Sequence, residues 1–481
     1  MKKTVIKSRC KKLGAILTVS SLLALNFLSP VAVLAQGSPD IHMEEGDFVH
    51  DPEDIVLPEL PDLGKLEDLR MPEVERGQFD LSDIEEPNPT NQMEVEVGTF
   101  EELQRVIAET VPDTALVINI TESFEFNNVI MIREGWDITL QSEGDYTLTQ
   151  RNGRHFNVQR NSLLTLKDGI TLDGASQAGG IGVYNAMFTM EGGHITNNNN
   201  ANGGGIYAIG GILNMTGGSI HGNSADFGGG ILSMNGEVNI TGVQIAYNEA
   251  VSSGGGMYIT GGTVDMTDVE ILRNEAGRYG GGMFFAGETM NMTYGLIDGN
   301  VADNGGGMLL LHVTTNMTDV VNSNNSARRN GGGMYIDNGT TNLINVQTYN
   351  NSADYGGGIF VVEGVVNMIG STATLHLNRA TLCGGGAYIL NNGKLTLEGG
   401  SIHSNIAEAG GGVYINNGTF VMESGDVVFN SAFQGGGVVV GNLATFTMRA
   451  GYILDNSATI DCAVMVYPSG TFNHEGGSVY C

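Results

Sequence analysis

Apolar and polar positions alternate through most of this chain in short runs, and the runs return with a nearly fixed period. In the stretch from Gly254 to Arg278 three such runs follow one another: Met257-Tyr258-Ile259, Thr263 to Thr267, and Val269-Glu270-Ile271. Glycine or an asparagine turn separates them. Alternation is clearest in the second, where Val264 and Met266 fall on one side and Asp265 and Thr267 on the other. A glycine triplet precedes each set. It begins at Gly203, Gly228, Gly254, Gly280, Gly305, Gly331, Gly356, Gly384, Gly410 and Gly435, with spacings of 25 or 26 residues and once 28. The position of Met266 stays aliphatic from Met215 to Met448, as an internal stack requires. Three strands per turn with stacked aliphatic positions predict an all-β fold, a parallel β-helix of about 25–26 residues per coil. Short parallel crossovers are overwhelmingly right-handed, so a right-handed coil is expected.

A second column runs Asn223, Asn248, Asn274, Asn300, Asn325, Asn351, Asn378, Asn405, Asn430 and Asn456, each followed two residues later by alanine. Asparagine tolerates left-handed turns and carries both a donor and an acceptor, so an asparagine ladder at a turn is expected. Regular repeats are assigned to 201–481. Residues 93–200 read as an N-terminal cap and irregular first coils. There, Thr99 and Glu102 form a capping box for a helix of about twelve residues, with Phe100, Leu103, Val106 and Ile107 on one face. This helix is expected to cover the open end of the solenoid and the edge of its first strand.

The segments before residue 93 are of another kind. Residues 1–35 read as a signal peptide: six basic residues from Lys2 to Lys12, an apolar stretch, and small residues before Gln36. No membrane insertion is expected after its cleavage. Residues 36–92 are acidic, punctuated by proline and without periodicity, and read as a disordered spacer. Net charge is -31, which disfavours nucleic acid and anionic membrane surfaces as partners. Of the four cysteines, Cys10 lies in the signal segment. Cys383 and Cys462 lie about three coils apart, ~14 Å and too far to bridge, whereas Cys462 and Cys481 can clip the last coil.

The Gly-Gly-Gly-Ile-Tyr run at Gly203–Tyr207 and the Ile-x-x-Asn run at Ile220–Asn223 resemble the GGA[ILV] and FxxN repeats of chlamydial polymorphic outer-membrane proteins. They look closer still to β-helix repeats in secreted and surface proteins of Gram-positive gut bacteria and in adhesin-like proteins of methanogens. The resemblance covers roughly residues 95–481 and implies a pectin-lyase-like right-handed β-helix. This chain has glycine where that pattern has alanine at the third position. Neither a C-terminal membrane barrel nor an LPxTG-type sorting motif is read, so secretion is expected and cell-surface association stays open.

Catalytic and metal-binding patterns are missing from the sequence. Paired aspartates with a nearby His and Arg, as a polygalacturonase-like site needs, do not occur. Asp226, Asp303 and Asp354 share a column, but Val251, Gly277 and Arg328 interrupt it, so no calcium cluster is expected. No cofactor is expected. Asp298, Arg273, His312 and Arg328/Arg329 form a weak local candidate. Binding has two candidate columns. The first is Tyr207, Tyr258, Phe284, Tyr335, Phe360, Tyr388 and Tyr414, following the triplets. If its aliphatic flanks face inward, the rings form an external ladder for sugars or a protein strand; if not, they are core. The second pairs Asn214 with Thr216, Asn239 with Thr241, Asp265 with Thr267, Asn291 with Thr293 and Asn316 with Thr318, all pointing outward. The resemblance implies an adhesin-like protein that binds host or microbial surface glycans or proteins. A polysaccharide lyase or glycoside hydrolase is the alternative.

Overall fold

The computed structural model describes residues 81, 84–111 and 114–481. The expected signal peptide and most of the expected acidic spacer lie outside the described residues. The rest is a right-handed parallel β-solenoid of about 15 turns.

The first strand, β1 (Asn91–Val97), begins two residues before the expected boundary and precedes the helix. It pairs in parallel with β2 (Thr114–Ile120), from Asn91 against Thr114 to Val97 against Ile120. Between them runs α1 (Phe100–Glu109). Thr99 Oγ1 accepts the Glu102 backbone N–H at 3.2 Å, while Glu102 Oε2 accepts the Gly98 N–H at 2.9 Å. The four predicted apolar residues are all buried, and the Phe100 ring lies 5.1 Å from Phe126. The helix therefore closes the interior at this end. It does not cover the strand edge: Asn91 to Glu94 of β1 remain exposed.

Most regular coils contain the three expected strands, in places run together as in Met308–Thr318, and a fourth. After Met257–Thr260, Thr263–Thr267 and Glu270–Leu272 comes Glu275–Ala276, paired in parallel with its counterparts at Glu249–Ser253 and Val301–Asn304. The fourth strands build a second, seven-stranded sheet from Ser224–Phe227 to Arg379–Cys383. The alanine that follows each ladder asparagine is its inward residue, and Ala250, Ala276 and Ala302 pack as a small cluster of their own. The inward residues of these strands are mostly small or polar, as Ala302 and Asn304 are in Val301–Asn304, which is why the hydrophobic pattern did not display the strand.

Glycine at all three triplet positions has a steric cause. The first glycine is left-handed, with φ of +67° at Gly254 and +71° at Gly384. A Cβ on Gly255 would sit 2.4 Å from the Gly281 carbonyl oxygen, and one on Gly256 would sit 2.6 Å from that of Gly282. Successive triplets lie directly on one another: the Gly255 and Gly256 N–H groups donate to the carbonyls of Gly280 and Gly281, both at 3.2 Å. Alanine does not fit this third position.

The asparagine ladder is continuous and buried. Asn274 Nδ2 donates to Asn300 Oδ1 at 3.1 Å and to the Ile245 carbonyl at 2.9 Å. Its backbone N–H reaches the same Asn300 Oδ1 at 2.9 Å, and its own Oδ1 accepts both N–H groups of Asn248. The ladder starts one coil earlier than expected, at Asn198. Its members do not take the left-handed turn. The preceding residue does, as at Tyr247 (φ 55°), Arg273 (52°) and Leu377 (55°). Beside the ladder, the column from Met215 to Met448 is fully buried, each side chain contributing roughly 1.5–3 kcal/mol.

Cys462 and Cys481 form a disulfide across the last coil, with Cα atoms 5.5 Å apart. Cys383 is a buried thiol, pushed by burial up to about 12. In the earlier coils two titratable side chains are buried side by side. Arg154 donates to the carbonyls of Gly203 (2.9 Å) and Asn202 (2.5 Å) beneath the Tyr207 ring. His155 presents Nε2 to the Leu148 carbonyl at 2.9 Å and Nδ1 to that of Gly179 at 3.2 Å. Burial lowers its pKa to about 4, against the upward pull of the two carbonyls.

Candidate functional site

The aromatic column points away from the central core, as its inward flanks Met257 and Ile259 require, and yet it is covered. Tyr258, Phe284, Tyr335, Phe360, Tyr388 and Tyr414 are at most 5% exposed, and only Tyr207, at the start, is half-buried. The fourth strands lie over them: Phe227 packs on Tyr258 at 5.3 Å, and Tyr355 on Tyr388 at 5.6 Å. Neighbouring rings are also stacked along the rod, 4.7 Å apart for Tyr258 and Phe284 and 5.2 Å for Tyr388 and Tyr414. The stacked rings form two runs, Tyr258–Phe284 and Tyr335–Phe360–Tyr388–Tyr414, separated by Leu309. An external sugar-stacking ladder is thus not what these residues form; they make a second packed layer between two sheets.

The polar column is on the surface. Asn239 Nδ2 donates to Asn214 Oδ1 at 2.9 Å, Asn291 to Asp265 at 2.7 Å, and Asn316 to Asn291 at 2.9 Å. The ladder runs on through Asn342 to Asn367, two coils past the sequence reading. Thr216, Thr241 and Thr267 are exposed and Thr293 is half-buried on one flank. Thr263, Thr289, Thr314 and Thr340 line the other in direct register. The result is a flat Thr–Asn–Thr face on the coils of Asn291 and Asn316, with Asp265 in the central place one coil before. An amide within this ladder uses one N–H and one oxygen lone pair on its neighbours. Its second N–H and lone pair are left for another partner.

The charged candidates do not converge. Arg273 donates to the Tyr247 hydroxyl at 2.9 Å, and Arg328 pairs with Asp303 at 2.9 Å. Asp298 accepts from Ser323 Oγ at 2.7 Å and from Asn324. His312 occupies a left-handed turn between Leu311 and Val313, in the same long strand as Asn316 but on another corner from Asp298. Burial raises the Asp337 carboxyl to about 6, a shift opposed by His312.

Sequence reading missed a ring stack on the third strand. His376 shares the position of His403, two residues before the inner asparagine; their rings are 4.9 Å apart, and Tyr349 stacks on His376 at 4.9 Å. Near the start of the repeats Ser219 Oγ lies between His194 Nδ1 (2.8 Å) and His221 Nδ1 (3.0 Å). Burial holds His221, His376 and His403 below the ordinary histidine range. Counting back two residues from every ladder asparagine reveals this column. No group of three or more His, Cys, Asp or Glu among the described residues is placed to hold a metal ion. No helix among them is long and apolar enough to cross a membrane.

No family model, curated protein or solved structure matches this chain. Its fold places it among the right-handed parallel β-solenoid proteins.

Proposed function

We propose that this chain is a secreted or cell-surface solenoid that binds glycans or proteins on host or microbial surfaces without catalysis, an adhesin-like role. One observation carries the reading: the register-matched Thr–Asn–Thr face on the second strand. Its amides are oriented by one another, so a ligand meets donors and acceptors that need no further ordering. They repeat at ~4.8 Å along the rod, which suits a polymer or an extended chain able to touch several coils at once. Kinship with pectin-lyase-like β-helices and export by the N-terminal segment belong to the same proposal, on the resemblance of the triplet repeats.

The test is a glycan array probed with the full secreted chain, with sugar release from the same glycans followed in parallel. Saturable binding without release, weakened about tenfold by Thr267→Val with Thr293→Val, is the expected result. Cleavage products would instead establish the alternative, a polysaccharide lyase or glycoside hydrolase. Binding that ignores both substitutions would remove the Thr–Asn–Thr face from the account.

A further inference from the structure

Apart from isolated residues such as Ser233, the interior of the rod is apolar, but two adjacent coils hold a cluster of polar residues. On the second strand the inward position runs Val264, Met290, then Thr315 and Thr341 in direct register, then Val366. On the third strand it runs Ile271, Ile297, then Asn322 and Thr348 in direct register, then Leu375. Both columns turn polar in the same two coils and turn apolar again together. All four residues are at most 1% exposed. Thr315 Oγ1, Thr341 Oγ1, Thr348 Oγ1 and Asn322 Nδ2 have no hydrogen-bond partner within the protein.

A buried hydroxyl or amide without a partner costs about 1–3 kcal/mol, and four within two coils is a heavy load for one segment. Asn322 and Thr348 are smaller than the Ile297 and Leu375 that flank them in their column, whereas Thr315 and Thr341 match Val366 in size, so room for a ligand would lie on the third-strand side. The chemistry narrows what fills it. Asn322 Oδ1 already accepts from Asn325 Nδ2 at 2.5 Å, so the free Asn322 group is a donor and calls for an acceptor. A metal cation cannot satisfy it. The hydroxyls both donate and accept, and no carboxylate or cationic side chain is among the four. The ligand is therefore small, neutral and able to give and take hydrogen bonds. We infer that these two coils enclose bound water, held inside the rod by Thr315, Thr341, Asn322 and Thr348.

Atomic-resolution diffraction from the full chain tests this directly. The expected result is electron density for water within hydrogen-bonding distance of at least two of the four named atoms. A dry interior, with the hydroxyls rotated onto one another or onto backbone carbonyls, overturns the inference. A second measurement replaces hydroxyl by methyl at nearly constant shape, in Thr341→Val and Thr348→Val. If the hydroxyls are bonded to water, each substitution lowers the unfolding midpoint by about 1–2 °C. An unchanged or raised midpoint overturns the inference, since it shows a hydroxyl that was unpaired and costly.

Discussion

Asparagine is stacked coil upon coil in two places in this molecule, and the two ladders differ in almost everything else. The inner one, at Asn274 and its equivalents, is buried; each Oδ1 accepts two N–H groups and each Nδ2 also ties down a strand carbonyl. The outer one, at Asn291 and its equivalents, lies at the surface and makes one amide contact per coil. Inside, from Asn223 onward, the amide oxygen and both amide N–H groups of each ladder residue are used at the corner, so the residue is structural. Outside, half the amide is free, so the same side chain is a candidate for recognition. Burial, and not residue type, separates the two roles.

Breaking the inner ladder has the largest expected effect. Asn274→Leu strands the Asn248 N–H groups and the Ile245 carbonyl, and is expected to cost about 3 kcal/mol or more. Because coils unfold as neighbours and not all at once, the measurement is hydrogen exchange across residues 245–300. Retained protection there would mean that the ladder does not hold the corner.

Acidification sharpens the contrast, because the inner ladder has no titratable member, whereas the first coils contain His155. Its folded pKa of about 4 lies below the value of 6.5 for an unstrained imidazole. Below pH 6.5 the unfolded chain takes up a proton that the folded one refuses, so stability falls as pH drops toward 4, by about 3 kcal/mol in all. The difference in stability between the wild type and His155→Gln, followed against pH, isolates this term. A difference that stays constant between pH 7 and pH 4 would place the proton elsewhere.

The smallest expected effect is on the outer ladder. Asn316→Ser is expected to change stability by no more than about 0.5 kcal/mol, as surface substitutions generally do. A loss above about 2 kcal/mol in denaturant unfolding would make the outer ladder as structural as the inner one.

The period, the inward methionines, the inner asparagines and the capping box of α1 were all legible before any coordinates, because each is a local pattern repeated ten times or a pairing of near neighbours. The fate of the aromatic column was not. Alternation around Tyr258 says which side of its own strand the ring takes, but nothing about whether another strand lies across that side. The covering strand was hidden because its buried positions hold mostly small or polar residues, such as Ala302 and Asn304, that carry no hydrophobic period. The outer ladder was read correctly as outward, though only to Asn316, since at Asn342 and Asn367 isoleucine replaces the flanking threonine. His376 escaped because it lies in the one coil of 28 residues, where counting from the triplet misplaces it and counting from the asparagine does not.

The stacked glycine triplets have a consequence for heredity. Each triplet hydrogen-bonds to the triplets before and after it, and every coil offers equivalent carbonyls to the next. Gain or loss of 25 or 26 codons in frame brings equivalent residues back onto one another, while a gain or loss of a few residues within the triplet does not. The gene can thus lengthen or shorten the rod one coil at a time without redesigning its cross-section, and the number of coils becomes a trait on which selection can act.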